Sequence, residues 1–158
     1  MLEQVYFEDV AEGMEVPTLR KEPTTQQLVK YAGASGDYYQ IHYDKDFALA
    51  NGLPSVIIHG ALKGAWMGQI MTEWIGELGT LKKLTTQYRG MDAPGMPILG
   101  KGVVRKKHAR DGECLVECDI WLENAEGQKT TLGSAVVALP SRQGIGNGEC
   151  PQSLFPIP

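Results

Sequence analysis

Residues 59–76 read "HGALKGAWMGQIMTEWIG", and this stretch decides the fold. Apolar side chains lie nearly all round a helix drawn through it, which predicts a long central helix that is largely buried. Gly60, Gly64 and Gly68 recur every four residues and therefore line one face. Because glycine inside a helix costs about 1 kcal/mol relative to alanine, the spacing indicates that a sheet or a partner's backbone passes close to this face.

The chain before this stretch is predicted to be helical. Residues 23–37 begin with Thr24 and Gln27 in the spacing of a capping box, which predicts a helix of two to three turns that stops at "GASG". Asp44 is a candidate cap for a second short helix, which Gly52 would end.

The chain after Gly79 changes to the period of a strand. Residues 113–123 alternate cleanly between apolar and mostly acidic side chains. A turn at "NAEGQ" and a returning strand at "KTTLGSAVVAL" follow, and two earlier strands are predicted at "TLKKLTTQYRGM" and "ILGKGVVRKKH". Four strands in sequence favour an antiparallel meander that covers the central helix, so the predicted fold class is α+β.

The composition of the whole chain is that of one globular domain, with 158 residues, 42% apolar and 22% charged. A net charge of −4 gives no electrostatic footprint for nucleic acid. No run reaches the ~18 apolar residues that a membrane helix needs, and the acidic N-terminal sequence does not resemble a signal peptide. We therefore expect no nucleic-acid or membrane partner. The domain is predicted over residues 1–140, followed by a Gly/Pro-rich C-terminal tail over residues 141–158.

The three cysteines are an odd number, and two of them, Cys114 and Cys118, are predicted to lie on one strand. Four strand steps of ~3.3 Å separate these two residues by about 13 Å, which is too far for a disulfide. No Cys/His spacing typical of a zinc site is present, so no metal is expected. These features predict a reduced, cytoplasmic protein.

An acid and an imidazole stand close together in residues 36–44, which read "GDYYQIHYD". Residues five apart on a helix are rotated by ~140° from each other, and on a strand they point to opposite sides. Asp37 and His42 therefore meet only if the chain turns between them, which the preceding "GASG" favours. Taken alone, the pair favours a surface loop over an acid–base site.

The start of the central helix supplies a second element. A helix start presents unpaired N–H groups and the positive end of the helix dipole. Glycine leaves its amide open to a carbonyl oxygen, so Gly60 meets the requirement for an oxyanion donor. His59, taken by itself, is expected to pack or to hydrogen-bond near the helix start.

Residues 31–66 resemble the signature of the MaoC-like dehydratases and R-specific enoyl-CoA hydratases, also called hydratase 2. That family shows the pattern "SGDxNPIHxD…A…G…IxHGM", and the agreement includes Ser35, Gly36, Asp37, Ile41, His42, Asp44, Ala48, Gly52, Ile58, His59 and Gly60. The resemblance implies a single hotdog domain, in which an antiparallel β-sheet wraps around a long central helix. It also implies a homodimer or a higher homo-oligomer, with a hetero-oligomer containing another hotdog chain as the alternative.

The resemblance assigns Asp37 and His42 as the catalytic pair and the Gly60 amide as the donor that holds the thioester carbonyl. It implies reversible hydration of 2-enoyl thioesters to (3R)-hydroxyacyl thioesters, or the reverse dehydration, without a cofactor. Coenzyme A or acyl carrier protein enters as part of the substrate, and the basic residues 105–107 are candidates for contact with its phosphates. The alternatives are an acyl-CoA thioesterase and an accessory hotdog subunit that binds acyl thioesters without catalysis.

The chain departs from the family pattern in three places. Tyr39 and Gln40 replace the usual Asn-Pro, Ala61 stands where methionine is common, and Gly68 occupies a position that is serine in some members. Since the acid and the base are intact, these departures predict an altered substrate rather than lost chemistry. Tyr39 and Gln40 are therefore candidate residues of the substrate pocket, and His59, which matches the pattern and precedes Gly60, is a third candidate.

Overall fold

The computed structural model describes residues 4–143 and residue 150. The strands in these ranges are β1 (Glu15–Lys21), β2 (Thr80–Tyr88), β3 (Ile98–Arg110), β4 (Glu113–Glu123) and β5 (Lys129–Leu139). The helices are α1 (Thr25–Ser35), α2 (Lys45–Ala50) and α3 (Gly60–Ile75), with 3₁₀ turns at Phe7–Asp9 and Gln40–His42.

The five strands form one antiparallel sheet in the order β1-β3-β4-β5-β2. Helix α3 packs against all five strands, and it contributes Trp66, Met67, Ile70 and Met71 to the core. The apolar residues at alternate positions of β4 lie on the side of the sheet that α3 covers, and they are likewise buried: Cys114, Val116, Cys118, Ile120 and Leu122. The predicted hotdog arrangement, an antiparallel sheet around a long central helix, is confirmed.

The two helices before α3 begin at the predicted caps. The side-chain oxygen of Thr24 accepts a hydrogen bond from the Gln27 N–H at 3.2 Å, which starts α1. The Asp44 carboxylate accepts one from the Phe47 N–H at 3.0 Å, which starts α2. The Asp44 cap fixes the end of the loop over residues 36–44, which carries the candidate acid and base.

The glycine face of α3 packs against strand β2. A Cβ atom built on Gly60 would lie 3.6 Å from the ring of Tyr88, and one built on Gly64 would lie 2.9 Å from the Tyr88 hydroxyl. A Cβ atom on Gly68 would lie 3.6 Å from the Leu84 side chain. The close approach of a sheet that the glycine spacing predicted is therefore present.

Two strand predictions are wrong. Strand β2 pairs with β5 at one edge of the sheet instead of lying beside β3, so only β3, β4 and β5 form a meander. Strand β1, which occupies the other edge, lies in the half of the chain predicted to be helical. Its alternation is weak because Val16 is its only fully buried residue, and Pro17 coincides with a register shift between Val16 and Leu19.

The prediction of a reduced protein is wrong for two cysteines. Cys114 and Cys150 are joined in a disulfide, and Cys118 is a buried free thiol. The distance between strand positions excluded only a bond between Cys114 and Cys118, which both lie on β4. It gave no information on Cys150, which lies far along the chain. The cytoplasmic location stays a prediction that this bond does not favour, since disulfides are rare in the cytosol. No helix in the described ranges is both long and apolar enough to cross a membrane.

The domain boundary at residue 140 stays a prediction, because residues 144–149 and 151–158 of the tail lie outside the described residues. The residues just after the boundary are attached to the domain. The Ser141 hydroxyl donates to the Glu8 carboxylate at 2.5 Å, and the Arg142 guanidinium donates to Asp9 at 2.6 Å and 2.8 Å. The backbone of Cys150 is held as well, since its N–H donates to a carbonyl next to β4.

Replacing Cys150 with serine is expected to lower the free energy of unfolding by about 2–4 kcal/mol, because the disulfide links residues 36 positions apart. Urea unfolding with and without reductant measures this. The wild type should lose the same stability in reductant, whereas the serine variant should not change. Identical wild-type midpoints with and without reductant would show that the disulfide does not stabilise the protein.

The third cysteine is a buried free thiol. Burial raises the pKa of the Cys118 thiol to about 12, so native wild-type protein should show no reactive thiol.

Candidate active site

The loop between α1 and α2 brings Asp37 and His42 together. Helix α1 ends at Gly36, whose φ of 78° is the left-handed conformation that glycine accepts at a helix end. The Tyr39 N–H donates to Oδ1 of Asp37 at 3.3 Å, and the 3₁₀ turn Gln40–His42 then changes the chain direction. Nε2 of His42 consequently lies 3.8 Å from Oδ2 of Asp37. The structure contains the turn that the spacing of the two residues requires.

The protonation of the His42 ring follows from its second contact. Nδ1 of His42 lies 2.7 Å from the carbonyl oxygen of Ile57, which can only accept, so Nδ1 is the donor. In the neutral ring Nε2 is therefore unprotonated and faces the Asp37 carboxylate. The His42 side chain is 8% exposed and that of Asp37 is 46% exposed. A separation of 3.8 Å is too long for a hydrogen bond, but a small polar molecule can contact both groups.

His59 lies directly against His42. The two rings are stacked, with their centroids 3.8 Å apart and an angle of 20° between their planes. Tyr31 contacts the His59 ring edge-on at 4.9 Å, and Nε2 of His59 lies 3.4 Å from the Asp37 carbonyl oxygen. Burial, with a smaller contribution from His42, holds the pKa of His59 below its usual range, against the opposing effect of Asp37. His59 is therefore fully buried and packs near the helix start, as predicted, and its place in the substrate pocket stays a prediction.

The lowered pKa of His59 predicts a loss of stability in mild acid. The unfolded chain binds a proton at this residue near pH 6.5, whereas the folded chain binds it only at lower pH. His59 therefore contributes fully to the free energy of unfolding above about pH 6.5, where it is uncharged in both states. This contribution falls as the pH drops below about 6.5, because the unfolded chain gains the proton first. Urea unfolding between pH 7.5 and 5 should show this fall, and it should be shallower in His59→Gln than in the control His108→Gln. Equal slopes in the two variants would mean that His59 does not titrate differently on folding.

Gly60 is the first residue of α3 and follows the stacked His59. Its N–H is one of the helix-start donors that have no intrahelical partner. Within the described part of the chain, this N–H donates to no protein acceptor. The amide therefore combines an open donor with the positive end of a 16-residue helix, one residue after the His59 ring that stacks on His42. These are the properties of an oxyanion donor.

Tyr39 and Gln40 lie at the rim of the site. The Tyr39 ring is 55% exposed, and it meets the rings of His42 and Phe47 edge-on at 6.4 Å and 6.0 Å. Gln40 is exposed and begins the 3₁₀ turn, where its carbonyl oxygen accepts hydrogen bonds from the next residues of the loop. Tyr39 therefore contacts His42 from the exposed side of the loop, while Gln40 begins the turn. Both residues stay candidates for substrate contact.

Metal binding is the other function to consider for the side chains of Asp37, His42 and His59. Asp37, His42 and His59 each have a ligand atom within 4.8 Å of the others, and no other group of this kind lies among the described residues. A tetrahedral ion at about 2.0–2.1 Å from two imidazole nitrogens needs lone pairs that converge on it. The lone pairs of the stacked His42 and His59 rings instead lie in nearly parallel planes. The arrangement favours proton transfer over metal binding, and the expected lack of a metal stays a prediction.

The basic residues 105–107 are largely occupied by protein contacts. Arg105 pairs with Asp119 at 3.2 Å. The Lys107 ammonium donates to the Phe7 carbonyl at 2.6 Å, and burial lowers its pKa. Lys106 is the member of the three whose side chain has no partner in the described part of the chain. It is therefore the remaining candidate in this cluster for contact with a phosphate.

A buried ion pair that the sequence did not predict lies close to the site. Nζ of Lys63 is 2.6 Å from Oδ2 of Asp92, and the two side chains are 3% and 2% exposed. The sequence contains one signal of this pair, because Lys63 stands in the first half of α3, which is otherwise apolar, and a buried lysine needs a partner. Nothing in the sequence indicates which of the acidic residues that partner is.

A family model described as "MaoC like domain" matches residues 9–120, which is well over half of the chain. A curated relative, the fatty acid synthase subunit beta of Gibberella zeae, is 36% identical over 75 residues. This match covers 46% of the chain and 4% of the relative, so the chain corresponds to a small part of that protein.

Solved structures of similar fold cover most of the chain. The R-hydratase PhaJ1 from Pseudomonas aeruginosa has a TM-score of 0.79 at 20% identity, over 88% of each chain. A MaoC-like dehydratase has a TM-score of 0.77 at 26% identity, over 86% of this chain and 42% of the other. The ChsH1–ChsH2 complex from Mycobacterium tuberculosis has a TM-score of 0.72 at 19% identity, over 82% and 98%.

Proposed function

Because the chain belongs to the MaoC-like domain family, we propose that it adds water reversibly to the double bond of a 2-enoyl thioester and gives a (3R)-hydroxyacyl thioester. One observation carries this proposal. Nε2 of His42, which is the proton-free nitrogen of the neutral ring, lies 3.8 Å from the Asp37 carboxylate, and the ring stacks on His59, the residue before the open amide of α3. A general base, a carboxylate and an oxyanion donor are what the addition of water to a conjugated thioester requires.

The thioester carbonyl is proposed to bind at the Gly60 N–H. Polarising this carbonyl draws electrons away from C3, which makes C3 open to attack by water. As the oxygen of water bonds to C3, the electrons of the double bond move towards the carbonyl oxygen and form an enolate. The Gly60 amide and the α3 dipole stabilise that negative charge where it develops.

The water is proposed to lie between His42 and Asp37. Nε2 of His42 takes one proton from the water as its oxygen attacks C3, and the imidazolium then returns that proton to C2. The Asp37 carboxylate orients the water and stabilises the imidazolium that forms in between. One water is consumed, its OH ends on C3 and its H on C2, and both side chains return to their starting states. No metal or redox cofactor takes part in these steps.

The carrier of the acyl group is proposed to be coenzyme A or acyl carrier protein. Lys106 is the candidate in the basic cluster for its phosphates. We also propose that the chain works as a homodimer or a higher homo-oligomer, with a second hotdog chain of different sequence as the alternative. Two observations support assembly: β1 and β2 are edge strands with one unpaired side each, and the solved ChsH1–ChsH2 structure is a complex.

The proposal is tested by mixing purified protein with short- and medium-chain 2-enoyl-CoA substrates. The absorbance of the conjugated enoyl thioester and the release of free thiol are followed together. We expect loss of absorbance without thiol release, and a chiral assay should give the (3R) product. Thiol release would instead support a thioesterase. Inactivity towards a panel of CoA and acyl-carrier-protein thioesters would support the accessory subunit.

A further inference from the structure

We propose that the buried Lys63–Asp92 ion pair positions the His42 ring and the Gly60 amide for the proposed reaction. The expected fall in kcat rests on the proposed function, whereas the expected change in the His42 tautomer rests on geometry alone. Lys63 belongs to the first turn of α3, three residues after Gly60, and Asp92 belongs to the loop that follows β2. The pair therefore joins two elements that meet at the candidate site.

The contacts of this pair form a compact network. The Lys63 ammonium donates to Oδ2 of Asp92 at 2.6 Å and to the Gly90 carbonyl at 2.8 Å. The Thr130 hydroxyl donates to the same Oδ2 at 2.6 Å, and the Thr130 carbonyl accepts hydrogen bonds from the backbone N–H groups of Arg89 and Gly90. The loop over residues 89–92 is thereby fixed to α3 on one side and to β5 on the other.

The network reaches His42 through the backbone of the segment before α3. The Asp92 carbonyl accepts a hydrogen bond from the Ile58 N–H at 2.8 Å. The neighbouring residue, Ile57, contacts the catalytic loop twice: its N–H donates to the Ile41 carbonyl at 3.0 Å, and its carbonyl accepts from Nδ1 of His42 at 2.7 Å. The carbonyl that sets the His42 tautomer is therefore held one residue away from the Asp92 contact.

The same segment determines where Gly60 lies. Residues 57–60 run from the carbonyl that binds His42 to the amide proposed to bind the thioester. The backbone N–H of Lys63 makes the first α3 hydrogen bond, to the His59 carbonyl at 3.1 Å, and the Lys63 side chain joins this helix turn to Asp92. The ion pair thus joins the helix turn after Gly60 to the loop whose Asp92 carbonyl holds the peptide group between Ile57 and Ile58, and through this link it constrains the distance between the base and the oxyanion donor. Errors of about 1 Å in such a distance can lower a rate about 100-fold.

Burial and charge favour a positioning role over a stabilising one. Removing two charges from water is costly, so a buried ion pair often adds little stability compared with apolar side chains of the same size. It does enforce geometry, because each partner must find the other. A single substitution leaves one charge buried without compensation, and Lys63→Met or Asp92→Asn alone is expected to fold poorly. Removing both charges together avoids that penalty.

The experiment uses the double variant Lys63→Met/Asp92→Asn, which keeps the size of both side chains and the acceptor for Thr130. Thermal unfolding should show that it folds. Its kcat for a 2-enoyl-CoA should be about 10- to 100-fold lower than that of the wild type with KM little changed. Imidazole ¹⁵N NMR should show Nδ1 of His42 protonated and Nε2 bare in the wild type, and a mixture of the two tautomers in the variant.

The control is Lys101→Met/Glu123→Gln, which removes a 2.8 Å ion pair between β3 and β4. It should keep wild-type kcat and the wild-type His42 tautomer. A folded Lys63→Met/Asp92→Asn variant that keeps both properties would overturn the positioning role. The NMR result tests the inference even if the wild type proves inactive on enoyl thioesters, so the two failures can be told apart. If the double variant does not fold, the NMR comparison of wild type and Thr130→Val decides, since loss of the Thr130 hydroxyl should also mix the tautomers.

Discussion

Replacing His42 with alanine is expected to lower kcat/KM for a 2-enoyl-CoA about 100- to 10,000-fold, which is the range of one general acid–base group. The bare Nε2 of this ring is the base proposed to take the proton of the attacking water, and alanine offers no substitute. Asp37→Asn is expected to cause a loss in the same range, because it keeps the shape of the side chain but removes its charge. Initial rates from the loss of enoyl absorbance measure both changes.

The matched control for Asp37→Asn is Asp46→Asn. Asp46 is an exposed carboxylate in the first turn of α2, a few residues along the chain from the site. It should keep wild-type activity, and circular dichroism should show that all three variants keep the fold. Wild-type rates in either Asp37→Asn or His42→Ala would remove that residue from the proposed mechanism.

Replacing Gly60 with proline is expected to lower kcat about 100- to 1,000-fold, the cost of losing one oxyanion donor. Proline has no N–H, and it is favoured at the first position of a helix, which Gly60 occupies. The preceding His59 has φ −55° and ψ 132°, a conformation that a residue before proline adopts readily. The substitution should therefore remove the donor without breaking α3, which kcat and thermal unfolding measured together can show.

Replacing Gly60 with alanine separates the effect of losing the N–H donor from the effect of adding a side chain. Alanine keeps the N–H, and its Cβ would lie 3.6 Å from the Tyr88 ring, which is an ordinary contact. This variant should keep most of the wild-type kcat. If the alanine and proline variants lose activity equally, the effect comes from added volume, and the amide is not the donor.

The local elements of the fold could be predicted because their causes are local. Thr24 and Asp44 each supply an oxygen to an N–H three residues later, so the two helix starts are visible in the sequence. The alternation of β4 is equally direct, because β3 and β5 pair with its two edges and α3 covers one of its faces. The length and apolar character of α3 required a sheet around it.

The strand order could not be predicted, because it depends on long connections. The loop after β2 crosses to β3 while β2 itself pairs with β5, and alternation describes each strand without its neighbours. Strand β1 gave too weak a pattern, since an edge strand with a single fully buried residue, Val16, barely alternates. The disulfide was missed because Cys150 has no local signal for a partner 36 residues away.

The candidate site was predictable in its residues but not in its geometry. The spacing of Asp37 and His42 required a turn, and the resemblance to a family selected these two residues and Gly60 from the rest. The Ile57 carbonyl that sets the His42 tautomer left no trace in the sequence, because any residue supplies a carbonyl. The Lys63–Asp92 pair spans 29 residues, so only the fold shows which acid meets this lysine.

Whether water attacks C3 of the enoyl thioester is tested most directly by following the oxygen atom of the water into the product. The protein is incubated with a 2-enoyl-CoA in H₂¹⁸O, and the products are analysed by mass spectrometry, with Asp37→Asn in parallel. We expect one ¹⁸O in the hydroxyl group at C3 of an intact hydroxyacyl-CoA, formed far faster by the wild type than by the variant. Free coenzyme A together with ¹⁸O in a released carboxylate would contradict it, because the water would then have attacked the thioester carbonyl instead of C3.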